Sequence, residues 1–324
     1  MKNIAVVMGG YSSERDISMK SGKVVAKNLQ SDDFSIYTVV IDENGWELIS
    51  EKKKYNINKE DFSTNINGEK ISFDAVFIAI HGTPGEDGRL QAYFDKLNIP
   101  YTTSGSTAAA LSFNKGKCND YLRENGVSCA SSYLLNKENI IDEKGIINRV
   151  GLPCFVKPNK NGSSFGVSKV TMQEKLQEAI ENAFLYDNEI LIESFIEGIE
   201  VTCGIHNFGD GLTTFPATEI VSENDFFDFE AKYEGKSQEI TPARISNELA
   251  QKVSCKTKKI YQLLNLNGIA RIDFIIQNNE PYVIEANTVP GLSEKSIIPQ
   301  QAACAGVSLR DLFQMAVLHA LKQK

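Results

Sequence analysis

The chain has 324 residues, enough for a substantial core and two or three domains, and an ordinary composition of 42% hydrophobic and 23% charged residues. A net charge of −8 excludes the basic face that nucleic acid requires, and no apolar run (AVFIAI at 75–80 is typical of the longest) approaches a membrane span, so neither is expected as a partner. Six cysteines without C-x-x-C spacing argue against a zinc site or disulfide scaffold, and MKNIAVVMGG is too short in apolar length for a secretion signal, so a cytoplasmic protein is expected.

The first segment alternates strand and helix: NIAVVM (3–8), a helix over 18–29, SIYTVVI (35–41), AVFIAI (75–80), and a helix across RLQAYFDKLN. Such alternation predicts an α/β unit with a parallel sheet. The polar piece 50–70 reads as a surface excursion, and Gly105 marks a first domain boundary. Next come a helix, KGKCNDYLREN, closed by Gly126, and a hairpin over 152–170. Thr171 and Glu174, in capping-box spacing, open a helix that runs to about 187. From 189 onward the pattern is antiparallel strands, a long polar loop over 222–245, a helix over 247–265, a hairpin, and a terminal helix capped at Ser308.

That hairpin, RIDFIIQNNEPYVIEANT, carries a carboxylate on each of two apolar strands. A register centred on Asn279 pairs Ile276 with Tyr282, Phe274 with Ile284 and Ile272 with Ala286, which sets Asp273 opposite Glu285 and Arg271 opposite Asn287. Two carboxylates so placed lie roughly 5 Å apart and repel by about 3 kcal/mol at an effective dielectric of 20. Either a hard cation such as Mg²⁺, with the Asn287 carbonyl as a further ligand, or a shared proton, or Arg271 on the same face has to offset this.

Elsewhere, KPNKNGSSFGVS sets glycines and serines at a hairpin tip beside Lys157, an arrangement suited to an anion. ILIESFIEGIEVTCG places Glu193 and Glu200 at apolar strand ends, where adenine and ribose could be read, although solvated strand ends would look the same. DFFDFEAKY puts Lys232 and Tyr233 in the long loop. MGGYSSERDIS and IHGTPGEDG both leave carboxyl ends of parallel strands, where open sheets bind ligands, and supply Glu14 and His81. No G-x-G-x-x-G occurs, which counts against a nicotinamide-dependent oxidoreductase.

Taken in order, VVMGGYSSERDIS, IAIHGTPGEDGRLQ, KPNKNGSSFGVSKV, EAKY, GIARIDF and VIEANTVPGLSEKS resemble the D-alanine:D-alanine ligase family of ATP-grasp enzymes over nearly the whole chain. The resemblance implies a Rossmann-like N-terminal domain (1–104) followed by a two-part ATP-grasp fold (105–188 and 189–324). It implies ATP, two Mg²⁺ ions with Mn²⁺ as a substitute, two molecules of D-alanine, and a homodimer. The product would be D-alanyl-D-alanine for peptidoglycan, formed through an acyl phosphate.

By the same resemblance, Glu14 holds the first D-alanine's ammonium and His81 helps orient that substrate. Lys115, Lys157 and Lys232 contact phosphates. Glu193, Ser194, Phe195, Ile196 and Glu200 hold adenine and ribose. Asp273, Glu285 and Asn287 ligate metal. Arg271 and the Gly291 amide face the oxyanion. Ser163, Tyr233 and Glu14 close the loop over the substrates, and Ser296 with the Ile297 amide takes the second D-alanine's carboxylate. Ser194 stands where the family often has lysine, and Phe227 where it often has tyrosine; Tyr233 favours an amine acceptor over D-lactate. A ligase using D-lactate or D-serine is the nearest rival reading. A non-catalytic nucleotide sensor would not need Arg271 and all three metal-ligand positions.

Overall fold

The computed structural model describes residues 1–51, 53–162, 165–209, 211–222 and 237–323. β1 (Lys2–Gly9) is apolar and buried from Ile4 onward. Through α1 (Arg15–Asn28) it leads to β2 (Phe34–Asp42), and it pairs in parallel with both β2 and β7 (Ala75–Ile78). Two antiparallel strands, β3 (Gly45–Ser50) and β4 (Lys53–Asn56), extend the sheet to the order β4-β3-β2-β1-β7.

The stretch 50–70 is therefore not a mere surface excursion. It supplies β4 and a small hairpin of β5 (Thr64–Ile66) with β6 (Glu69–Ile71), and it buries Ile57 and Phe62. The Phe62 ring packs against Phe94 at 4.9 Å, Phe73 at 5.2 Å and Trp46 at 6.2 Å between centroids. A single aromatic anchor fixes a polar run whose average composition hides it.

After α2 (Arg89–Leu97), helices α3 (Ser106–Phe113) and α4 (Lys115–Glu124) lead into a second sheet. It is built from β8 (Ser132–Asn136), β9 (Cys154–Pro158), β10 (Ser168–Val170) and β11 (Glu189–Ser194) in the order β10-β9-β11-β8, with α5 (Glu143–Val150) and α6 (Leu176–Ala183) packed on it. The expected capping box at Thr171 does not form. Met172 is extended with no side-chain cap, a 3₁₀ turn follows over Gln173–Lys175, and α6 begins at Leu176 and ends at Ala183, short of 187. The apolar stripe Leu176, Ala179, Ile180 and Ala183, which α6 buries, sets the helix position more strongly than local capping does.

The third sheet has β12 (Ile199–His206) at its centre, with the short β13 (Thr213–Thr214) beside it. β14 (Thr218–Ser222) and β15 (Ser237–Ile240) lie on one side. Past α7 (Asn247–Leu263), β16 (Ala270–Gln277) and β17 (Glu280–Asn287) complete the other side. The hairpin register agrees with expectation at the site end: Arg271 faces Asn287, Ile272 Ala286 and Asp273 Glu285. It differs toward the turn, where Phe274 faces Val283, Ile275 Tyr282 and Ile276 Pro281, with an irregularity between Asp273 and Phe274. The turn is a two-residue loop, Asn278 and Asn279 both at positive φ (51° and 62°), and the bulge restores the parity that this tighter turn shifts.

Two C-terminal helices, α8 (Ile297–Cys304) and α9 (Leu309–Leu321), return to the first sheet. Leu312, Phe313, Ala316 and Val317 join one core with Ile4, Val6, Met8 and Phe77, and the Phe77 and Phe313 rings meet edge-on at 5.6 Å.

Candidate active site

A cavity of about 310 Å³ opens between the second and third sheets. One wall carries Lys157 on β9 and Glu193 on β11. The opposite wall carries Glu200 and Thr202 on β12, with Asp273, Ile275, Ile284 and Glu285 on the β16–β17 hairpin. Phe195 and Ile196, in the crossing between the two sheets, line its end.

Lys157 and Glu193 are both buried and form an ion pair, and the Asn119 amide of α4 donates to the other Glu193 oxygen at 2.8 Å. Lys115, at the first position of α4, spans the two walls: its Nζ donates to the Asn161 carbonyl at 2.8 Å and lies 3.3 Å from Glu285. Burial works against its charge, but the carboxylates of Glu285, Glu86 and Glu14 outweigh burial, and its pKa is raised.

Arg271 answers the question of the paired carboxylates for Asp273. Its Nε and a terminal nitrogen each donate to Asp273 at 2.8 Å, while the Thr202 hydroxyl and the Asn287 amide (3.0 Å) donate to the same group. Lys115 does the same for Glu285. Among the described residues no set of three or more His, Cys, Asp or Glu side chains is arranged to hold a metal ion. The donors at this wall are two carboxylates and one amide, hard oxygen ligands of the kind Mg²⁺ takes alongside substrate phosphates.

Glu14, buried at the head of α1, marks where the first unit meets this cavity. A Cβ on Gly162 would fall 2.5 Å from a Glu14 carboxylate oxygen, so a side chain there would push the Glu14 carboxylate from its place. His81 is clamped. Its Nδ1 donates to the Val289 carbonyl at 2.7 Å, which leaves Nε2 to accept from Ser21 Oγ at 3.0 Å, and Ser21 Oγ accepts from the Leu292 amide at 3.2 Å. Burial lowers its pKa, and the ring with Ser21 ties the Val289-to-Leu292 loop to α1. Gly291 lies in that loop, and a Cβ there would come within 2.8 Å of Ser296 Oγ. Ser296 stands at the N-cap position of α8 without a side-chain capping bond; its hydroxyl turns back to Ser293 instead, 2.8 Å from that residue's hydroxyl.

The cavity thus brings together Lys115, Lys157, Glu193, Phe195, Ile196, Glu200, Arg271, Asp273, Glu285 and Ile297. It does not bring in the Ser194 side chain, whose hydroxyl accepts from the Ser131 amide at 3.1 Å while its own N–H donates to the Ser131 carbonyl. Ser163, Phe227, Lys232 and Tyr233 lie outside the described residues.

One residue escaped the sequence reading although it stood in the quoted IHGTPGEDG. Glu86 accepts from the Gly82 amide at 2.7 Å, and burial first, then the Glu14 charge, pushes its pKa up to about 8. Its folded pKa lies above the ordinary 4.5, so the folded state holds a proton that the unfolded state releases, and stability falls as pH rises from 4.5 through 8. Glu86→Gln keeps the acceptor for Gly82 and removes the titration. Urea midpoints at pH 5.5 and 8 are expected to show the variant gaining on the parent at the higher pH; equal differences at both would rule the titration out.

Solved structures with this fold define the class. The VanG D-Ala:D-Ser ligase of Enterococcus faecalis aligns with a TM-score of 0.88 at 29% identity over 99% of both chains. The D-alanine–D-alanine ligase of Bacillus anthracis in complex with ATP aligns at 0.79 and 27% identity over 100% of this chain and 98% of the other. The fold is that of an ATP-grasp ligase. Family models described as the D-ala D-ala ligase N-terminus and C-terminus match residues 3–104 and 122–317, and the Flavobacterium johnsoniae D-alanine–D-alanine ligase is 52% identical over 98% of each chain. The chain belongs to the D-alanine–D-alanine ligase family.

Proposed function

We propose that the protein joins two D-alanines into D-alanyl-D-alanine, as its relatives' names describe, at the expense of ATP, with which a similar solved ligase is in complex. The observation that carries the reading is the convergence of Lys115, Lys157, Arg271, Asp273 and Glu285 on one cavity. A carboxylate is a poor electrophile. Attack of a first D-alanine carboxylate oxygen on the γ-phosphorus breaks the bond to the β–γ bridging oxygen, releases ADP and leaves an acyl phosphate. The second D-alanine's amine then attacks the acyl carbon, and the tetrahedral intermediate expels phosphate and loses a proton to give the amide.

Glu14 takes the donor's ammonium, and His81 holds the loop that faces it. Lys115, Lys157 and Lys232 bear on the phosphates; Glu193, Phe195, Ile196, Glu200 and the backbone of Ser194 hold the nucleoside. Arg271 and the Gly291 amide stabilise the developing oxyanion. Ser296 and the Ile297 amide seat the acceptor's carboxylate, and Ser163 and Tyr233 complete the closure with Glu14. Asp273, Glu285 and Asn287 are the residues that would hold Mg²⁺ or Mn²⁺, which supplies charge neutralisation at the transferring phosphoryl group when bound. Residues 1–104, 105–188 and 189–324 act as donor, nucleotide and catalytic units of a cytoplasmic homodimer. No helix among the described residues is long and apolar enough to cross a membrane.

The test is phosphate release from ATP and Mg²⁺ with D-alanine, L-alanine, and D-alanine plus D-lactate or D-serine, the products identified by mass. D-alanyl-D-alanine from D-alanine alone is the expected result; a mixed product preferred near neutral pH would move the function to another acceptor.

A further inference from the structure

β15 forms the edge of the third sheet, and the strand register fixes which of its side chains face the cavity. Glu239 pairs with Ile220, Ile220 with Glu200, and Glu200 with Ile275. Directly opposed residues share a face, and the other three line the cavity, so Glu239 stands on the same face at the outer end of their row. Its carboxylate accepts from Gln300 Nε2 on α8. The same nitrogen donates to the Lys295 carbonyl at 2.9 Å, and the Gln300 amide donates to the Ser296 carbonyl at 3.2 Å.

α8 does not need this pair in order to dock. Ile298 and Ala302 are fully buried, and the neighbouring Gln301 accepts from the Gly204 amide at 2.9 Å and donates to the Thr202 carbonyl and Thr218 hydroxyl at 2.9 and 3.0 Å. Gln301 therefore pins the helix to the sheet, and Gln300 governs only its leading turn. An acid on the cavity face near the seat for a substrate carboxylate is costly by itself, and burial raises the Glu239 pKa even with Gln300 and Arg271 opposing.

We infer that Glu239 and Gln300 form a positioning pair for the acceptor half-reaction: by holding the turn at Lys295 and Ser296 against β15, they set the seat of the acceptor's carboxylate. The inference rests on the proposed role of Ser296 and the Ile297 amide. The test is the rate against D-alanine concentration at saturating ATP and Mg²⁺, fitted for donor-site and acceptor-site KM, on the full chain. Glu239→Ala and Gln300→Ala are each expected to raise the acceptor-site KM about tenfold, the worth of one such hydrogen bond, with kcat and the KM values for donor and ATP within about twofold. The double variant is expected to be no worse than the poorer single one. Glu239→Gln keeps an acceptor for Gln300 and is expected to restore the parent KM. An equal rise in all three KM values, or lowered thermal stability with an unchanged acceptor-site KM, would overturn the inference while leaving the function intact. No dipeptide from the unsubstituted chain would remove the functional reading and this inference together.

Discussion

Glu285→Gln and Asp273→Asn are each expected to lower kcat roughly a thousandfold or more at saturating Mg²⁺ while leaving a folded protein. On the roles proposed for them, both changes remove a charge that balances the transferring phosphoryl group, and neither removes side-chain volume. The structural costs differ. Glu285 gives up the charge of its pair with Lys115, and the change also relieves its repulsion with Asp273. Asp273 accepts from Arg271, Thr202 and Asn287, and an amide there turns a donor toward the Arg271 fork, which costs about 1–3 kcal/mol. Circular dichroism and thermal melts separate folding from turnover. Full activity of either variant would remove both carboxylates from the metal site.

Phe62→Ala is expected to destabilise the chain by about 3–5 kcal/mol, measured as a shift in urea midpoint, with ATP affinity of the folded protein unchanged. Phe62 is fully enclosed by Trp46, Phe73, Tyr93 and Phe94, and none of these residues lines the nucleotide cavity. For a protein stable by about 5–15 kcal/mol this is a large fraction. A loss below about 1 kcal/mol would mean that the aromatic cluster closes over the gap.

Phe62 also shows where sequence reading stops. One aromatic in SEKKKYNINKEDFSTNINGEK carries no periodic signal, because its partners Trp46, Phe73 and Phe94 come from other elements. Strands such as β1 and β7 were legible because their apolar runs are continuous, as a sheet buried on both faces demands. The carboxylate pair was legible from period-two parity near Asp273, but the bulge was not, since it depends on the left-handed two-residue turn at Asn278 and Asn279. Lys115 could be named only through resemblance, and its contact with Glu285 is one that no spacing encodes; Arg271 stood on the carboxylate face by parity, as one of three ways to offset the repulsion, and it pairs with Asp273. Glu86 was missed because an acid in a glycine-rich turn looks solvated until the Gly82 amide and the Glu14 charge are placed around it.

The shared core of the first sheet has a consequence for the order in which the molecule can be made. Ile4, Val6, Met8 and Phe77 leave the ribosome well before the side chains that cover them, Leu312, Phe313, Ala316 and Val317. At translation rates of about 5–20 residues per second, one apolar face of that sheet waits roughly 10–50 seconds for its lid. The first hundred residues therefore cannot complete their own folding during synthesis, and a nascent chain stalled before α9 presents a sticky sheet face to chaperones rather than a finished domain.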